Sequence, residues 1–222
     1  MARLRVVAYN IQGARAGIPA VAGVIESLTP DVVCLNEAPG WWGTRKLARR
    51  VGLRVVVGVK EDLRNVVLVN NRLRSTSLGV RRFSRTQGLP PRGFAEAVLG
   101  FGSTPLAVLC AHLGLVGEER LGHVRELLGA IRTLGMPAIV AGDWNEGPMG
   151  VAAGATSEVL ADTFGLVGAG KGFTYPNPEP SSRIDYVFAS APLRVEACFV
   201  PDSLEASAAS DHRPVVADLE VG

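Results

Sequence analysis

Short, nearly continuous apolar blocks run the length of this chain, separated by helical stripes and by turn-rich segments. Arg3 to Tyr9 reads as a strand, and Asp31 to Asn36 is apolar at successive positions, as in a strand covered on both faces. Ile18 to Leu28 carries helical spacing and stops at Thr29-Pro30. Trp42 to Val51 predicts a short basic helix bearing Arg45, Lys46, Arg49 and Arg50. Further strands are expected at Arg54–Val59, Asn65–Val69, Ser77–Arg82, Phe94–Phe101, Pro105–Ala111 and Ala138–Ala141. Glu118 to Leu134 is the clearest amphipathic helix, with Leu121, Val124, Leu128 and Ile131 on one stripe, which leaves His123 to the surface. Val151 to Leu160 predicts a short helix, and Gly165 to Ser182 a Gly/Pro-rich loop. Strands follow at Ile184–Ala189, Arg194–Val200 and Val215–Leu219. Strand-rich halves, few helices, no regular βαβ repeat and no linker point to two packed sheets flanked by helices, in a single domain over residues 1–222.

The polar residues beside these blocks carry the chemistry. Tyr9-Asn10, Leu35-Asn36-Glu37, Ala111-His112-Leu113, Gly142-Asp143-Trp144-Asn145 and Arg183-Ile184-Asp185-Tyr186 each read as lying at or just beyond the C-terminal end of an apolar run. Ser210-Asp211-His212-Arg213-Pro214 sits just before the last strand. A sheet built from those runs gathers their ends at one rim. Carboxylates, amides and imidazoles together there make a metal-dependent hydrolytic site.

Singly, each motif has a plain alternative. Glu37 after a buried strand is costly unless paired, protonated or metal-bound, but it also suits a helix cap or a turn. Asn10 suits a strand end. Asp143 and Asn145, two apart, offer a proton acceptor and an amide donor on one side of the chain, or else an Asx turn. Gly142 lets the backbone approach a ligand. His212 is placed to titrate, with Asp185 as its orienting partner. His112 is a donor to a phosphoryl oxygen or a satisfied structural histidine. Arg92, in Pro91-Arg92-Gly93-Phe94, is a candidate phosphate-binding residue or an exposed arginine at a strand start.

Composition narrows the setting more than the chemistry. Apolar residues make up 47% and charged ones 20%, with a net charge of +2 that by itself shows no polyanion partner. No apolar run reaches the length of a membrane span, and a core strand over residues 3–10 leaves no room for a signal peptide. Cys34, Cys110 and Cys198 each sit inside an apolar run without metal-ligand spacing, which predicts buried reduced thiols and a cytoplasmic location.

Taken in order from residue 3 to residue 219, the motifs Arg5–Ile11, Pro30–Glu37, Ala111–Leu113, Gly142–Asn145, Arg183–Phe188 and Ser210–Pro214 resemble the endonuclease/exonuclease/phosphatase superfamily. That group includes DNase I, exonuclease III and apurinic endonucleases, neutral sphingomyelinases and inositol polyphosphate 5-phosphatases. The resemblance implies an α/β fold of the DNase I-like kind, a four-layer sandwich of two packed mixed sheets flanked by helices. It also implies hydrolysis of a phosphoester by water with Mg²⁺ or Mn²⁺. By the same resemblance Glu37 is the principal metal ligand, with Asn10 and Asp211 assisting. Asp143 positions or deprotonates the water, and Asp185 orients His212 toward the transition state. Asn145 holds a phosphate oxygen, and Asn10, His112 and Arg92 stand as further substrate-binding candidates.

Two residues depart from the pattern. Asn36 stands where the glutamate motif usually has glutamine, which keeps the amide but shortens its reach. His112 stands where exonuclease III and apurinic endonucleases usually carry tyrosine, which moves the chain toward the DNase I, sphingomyelinase and phosphatase branches. Arg45, Lys46, Arg49 and Arg50 form one basic group, and Arg81, Arg82, Arg85 and Arg92 a second. Two such groups flanking a site would bind backbone phosphates, so a nucleic acid is the first substrate expected. A phosphorylated small molecule or a lipid head group is the alternative, and a non-catalytic scaffold the least favoured reading.

Overall fold

The computed structural model describes residues 2–60, 62–101 and 104–221. The first half runs β1 (Ala2–Asn10), a 3-10 turn (Gln12–Ala14), α1 (Ile18–Leu28), β2 (Val32–Asn36), α2 (Trp41–Arg50), β3 (Leu53–Val57), β4 (Val66–Asn70) and β5 (Arg74–Arg82). Then come β6 (Gly93–Phe101), β7 (Thr104–His112), α3 (Gly117–Leu134), β8 (Ala138–Asp143), α4 (Val151–Ser157), β9 (Ala161–Asp162) and α5 (Thr163–Val167). The chain finishes with β10 (Asp185–Ala189), β11 (Arg194–Phe199), α6 (Leu204–Ala209) and β12 (Val215–Val221).

The strands form two mixed six-stranded sheets, in the orders β11-β12-β1-β2-β4-β3 and β5-β6-β7-β8-β10-β9. Alternation along each central strand supplies both of its faces. Leu4, Val6 and Ala8 of β1, with Val32 and Cys34 of β2, point between the sheets to meet Leu106, Val108 and Cys110 of β7. Val7, Tyr9, Val33 and Leu35 point the other way, onto α1, α2 and α6. Ala107, Leu109 and Val140 back the second sheet against α3 and α4. The result is helix, sheet, sheet, helix, with a hydrophobic layer at each junction. This double-sided burial is why the strands read as unbroken apolar runs. All three cysteines are free and buried.

Several local expectations need correcting. Asp185 is the first residue of β10, which runs antiparallel to β8, so it opens a strand instead of following one. His123 is buried, 2% exposed, because the inward stripe of α3 includes His123 and Leu127 while Leu121 is only half-buried. Its ring stacks on Phe83 at 4.4 Å, and its Nδ1 accepts from the Gly114 N–H. The segment assigned to loop begins inside α5, whose first turn is capped by Asp162 accepting from the Phe164 N–H. That same carboxylate takes two hydrogen bonds from Arg183. Helix α6 carries no long apolar stripe, and Ser203 caps it by accepting from the Ala206 N–H.

Asp218 on β12 is buried and receives Arg5 through both carboxylate oxygens, at 2.7 and 2.9 Å, with Arg3 as a second partner. The hydrogen bonds from Arg5 outweigh burial and hold its pKa below the usual 3.8. A depressed folded-state pKa stabilises above the ordinary carboxylate range and is lost as pH falls through it. Asp218→Asn is therefore expected to lower the urea midpoint at pH 7, and the gap to the parent should narrow toward pH 3. A gap that stays constant across that range would show that the ion pair does not contribute.

Candidate active site

Strand direction explains which residues meet. Strands β1, β2, β7 and β8 are parallel neighbours in pairs, β1 with β2 and β7 with β8, and their C-terminal ends share one rim. Strands β4, β6, β10 and β12 run antiparallel to them, so that rim also receives the residues that open those strands. Asn10, Asn36-Glu37, His112 and Asp143 arrive from strand ends. Arg64-Asn65, Arg92, Asp185 and Asp211-His212 arrive from strand starts.

Asp143 stands at the centre, 1% exposed. Its Oδ2 accepts from Asn10 Nδ2 at 3.0 Å, lies 3.4 Å from His112 Nε2 and faces His212 Nε2 at 3.9 Å. Its Oδ1 accepts from the Asn145 N–H at 2.8 Å, a turn that puts Asn145 in the left-handed region at φ 50°. The Asn145 amide donates to Leu113 O at 3.1 Å, which leaves its second N–H for a ligand. Behind Asp143, its own N–H donates to Asn36 Oδ1 at 2.9 Å. The wholly buried Asn36 amide in turn donates to Asn65 Oδ1 and to Ala111 O, and Asn65 donates to Gly93 O at 2.7 Å. This amide relay ties the first sheet to the second directly under the site. Gly142 permits it: φ is +143°, and a Cβ there would fall 2.0 Å from Ala111 O and 2.8 Å from Asn36 Oδ1.

The two imidazoles are in opposite states. His112 Nδ1 lies 3.1 Å from Arg92 Nη1, and a guanidinium can only donate, so Nδ1 accepts and Nε2 carries the proton toward Asp143. Burial, with Arg92 and His212 adding to it against the pull of Asp143, drives the His112 pKa down to about 3. It is a neutral donor. His212 Nδ1 donates to Asp185 Oδ2 at 2.8 Å, and Tyr175 covers its ring at 4.7 Å. Burial lowers its pKa, but Asp185, Asp143 and Asp211 outweigh that and raise it to about 9. It is an imidazolium at neutral pH.

Asp143, Asp185 and His212 offer atoms within 4.8 Å of one another. An imidazolium held between two carboxylates accounts for that trio, so it is not a vacant ligand set. Glu37 differs. It is half-buried, its backbone is in the left-handed region at φ 50°, and no described cationic side chain pairs with it. Asn10 Nδ2 lies 3.4 Å from Glu37 Oε1. Asp211 reaches the same rim, where its Oδ2 accepts from Gln12 Nε2 at 2.8 Å. Gln12, Arg64, Asn65 and Tyr175 were not foreseen as neighbours of this site. The usable signal was a polar residue opening an apolar run, which Arg64-Asn65 before Val66 displays.

Solved structures with this architecture share its fold over nearly the whole chain. An endonuclease/exonuclease/phosphatase from Bacteroides vulgatus superposes with a TM-score of 0.84 at 18% identity, covering 100% of both chains. The mannosyl-6-phosphatase of Bacteroides thetaiotaomicron gives 0.81 at 20%, covering 98% of this chain and 99% of its own. Truncated Caenorhabditis elegans TDP2 gives 0.78 at 18%, covering 98% and 97%. No curated protein matches by sequence. The fold is thus the DNase I-like sandwich of phosphoesterases. The chain belongs to the Endonuclease/Exonuclease/phosphatase family, whose model matches residues 7–212.

Proposed function

We propose that this protein hydrolyses a phosphoester by attack of water, with a divalent cation at Glu37, and that its substrate is a compact phosphorylated molecule. The convergence of Asn10, His112 and His212 on one carboxylate oxygen of Asp143 carries the reading. A buried carboxylate with one neutral and one charged donor facing it can accept a proton from water while the same donors hold phosphoryl oxygens.

The oxygen-bearing side chains of this rim fit a hard cation: the Glu37 carboxylate, which no described side chain ion-pairs, the Asp211 carboxylate and Asn10 Oδ1, which also accepts from the Gln12 N–H, while the buried Asp185 Oδ1 has no hydrogen-bond partner. Glu37, Asn10 and Asp211 would hold Mg²⁺ or Mn²⁺, which supplies charge neutralisation at the phosphoryl oxygens and a more acidic water. The protein's own groups do the rest. Asp143 takes the proton, Asn145 and neutral His112 donate to the phosphoryl group, and Asp185 keeps His212 charged and oriented as the bond breaks.

Arg92 of the second basic group stands at the rim beside His112, but helix α2, Arg81 and Arg82 offer no continuous phosphate track. Helix α2 leaves the rim and leads into β3, which begins at the far end, so its basic residues recede over about 15 Å. Arg50 is drawn to Glu26 there. Arg81 pairs with Glu96 and Arg82 with Asp62. One feature favours a nucleic acid: Trp42, 79% exposed, stands at the start of α2 beside Trp41, whose ring carries Arg45 at 5.4 Å. The free buried cysteines suit a reducing compartment such as the cytoplasm, and no described helix is long and apolar enough to cross a membrane.

p-Nitrophenyl phosphate, sugar phosphates, bis-p-nitrophenyl phosphate and plasmid DNA, each assayed with Mg²⁺, Mn²⁺ or EDTA, separate these substrates. Small esters are expected to be cleaved and EDTA to stop the reaction. Plasmid cleavage that exceeds small-ester turnover would replace this reading with a nuclease. Glu37→Gln keeps the side-chain volume but removes charge, so calorimetric Mn²⁺ affinity should fall about 100-fold or more. Unchanged affinity would remove Glu37 from the metal site.

A further inference from the structure

The strand starts that complete the rim bring two guanidiniums to one side of the site. Arg64 opens β4 and Arg92 opens β6, and between them lies a cavity of about 270 Å³ whose walls include Glu37, Asn65 and His112. Arg64 is exposed and has no ion-pair partner among the described residues. Its Nη1 reaches to 4.0 Å from where a Cβ on Gly13 would sit, over the turn whose N–H donates to Glu37 O. Arg92 spends Nη1 on His112, and its Nε is buried with no partner. Asp62 also lines the cavity, but Arg82 already holds that carboxylate at 2.7 Å. Pro90 and Pro91 stiffen the wall that carries Arg92.

Two cations that share a cavity repel each other, and a buried N–H without an acceptor costs free energy. The other strand-end arginines described above, Arg81 and Arg82, form ion pairs with carboxylates; Arg64 and Arg92 form none among the described residues, although Asp143 and Glu37 act on Arg92 through space. An anion with several oxygens can satisfy both forks at once, and phosphate matches guanidinium geometry. We infer that Arg64 and Arg92 form a subsite for a second phosphate of the substrate, on the Glu37 and His112 side of the phosphoester that is cleaved. This inference rests on the hydrolase reading above. The second phosphate can belong to a small bisphosphate or to the neighbouring link of an oligonucleotide, since both present the same group.

The test compares fructose 1,6-bisphosphate with fructose 6-phosphate, and a thymidine dinucleotide with and without a 5′-phosphate. Each probe is measured by kcat/KM with Mn²⁺ and by calorimetric binding to the full chain in EDTA. The doubly phosphorylated member of a pair should be favoured roughly tenfold or more, the value of charge-assisted hydrogen bonds to one group. Arg64→Gln should erase that preference and Arg64→Lys restore part of it. Arg92 is left in place, because it fixes the His112 tautomer. Equal affinity within both pairs, or a preference that Arg64→Gln does not change, overturns the subsite. Binding preference without hydrolysis of any ester keeps the subsite and overturns the hydrolase reading, whereas hydrolysis without preference does the reverse. A preference confined to the dinucleotide keeps the subsite and overturns the compact substrate.

Discussion

Asp143→Asn is expected to lower kcat by roughly 10²–10⁴-fold with KM little changed, the range of a positioned general base. The substitution is nearly isosteric, so the loss is chemical. An amide cannot accept a proton from water, and it cannot satisfy its surroundings either. Asn10 Nδ2 and the Asn145 N–H donate to this side chain, and His112 Nε2 lies 3.4 Å from it. One end of an amide would meet them as a third kind of donor. His112 has no route to relieve this, because Arg92 fixes its tautomer and its pKa near 3 keeps it neutral through the working range. Steady-state kinetics with p-nitrophenyl phosphate and Mn²⁺ checks the expectation, with a thermal melt to confirm folding. A rise in KM at constant kcat would mean that Asp143 only holds substrate.

Legibility in the sequence followed strand direction. Residues that close a parallel strand could be read, because an apolar run ending in Asn10, Glu37, His112 or Asp143 announces a polar group where the core stops. Asp185 and His212 were read as partners and meet at 2.8 Å, though Asp185 opens its strand. Arg64 and Asn65 were passed over for the same geometric reason. Strand polarity is set by pairing, and pairing depends on contacts far away in the chain. The outer helices were legible where an apolar stripe faces one way, as in α1 and α3. They were not where a helix is short and small-sided, as in α6. His123 was misplaced because the inward stripe of α3 was read through Leu121, whereas it runs through His123 and Leu127 and puts the imidazole ring on Phe83.

Asn36→Gln should destabilise the protein and reduce its turnover, although glutamine is the residue that the superfamily resemblance leads one to expect there. The shorter side chain is matched to its surroundings. Asn36 Oδ1 holds the Asp143 N–H at 2.9 Å, and Nδ2 reaches Asn65 Oδ1 and Ala111 O at 2.9 and 3.0 Å. Asn65 occupies the space that a longer amide would need, and the absence of a Cβ on Gly142 is already used up by Asn36 Oδ1. One extra methylene in so closed a place costs about 1–3 kcal/mol, or a Tm drop of roughly 2–12 °C at this chain length. Turnover should fall with it, since the displaced amide carries the backbone of Asp143. Asn65→Ser frees the room but removes the bond to Gly93 O, so alone it should also destabilise. Combined with Asn36→Gln it should recover part of both losses, a coupling that a double-mutant cycle reads directly. Strict additivity of the two substitutions would show that Asn36 and Asn65 act separately. The amide relay would then be two unrelated hydrogen bonds rather than the clamp that holds the Asp143 carboxylate between the sheets.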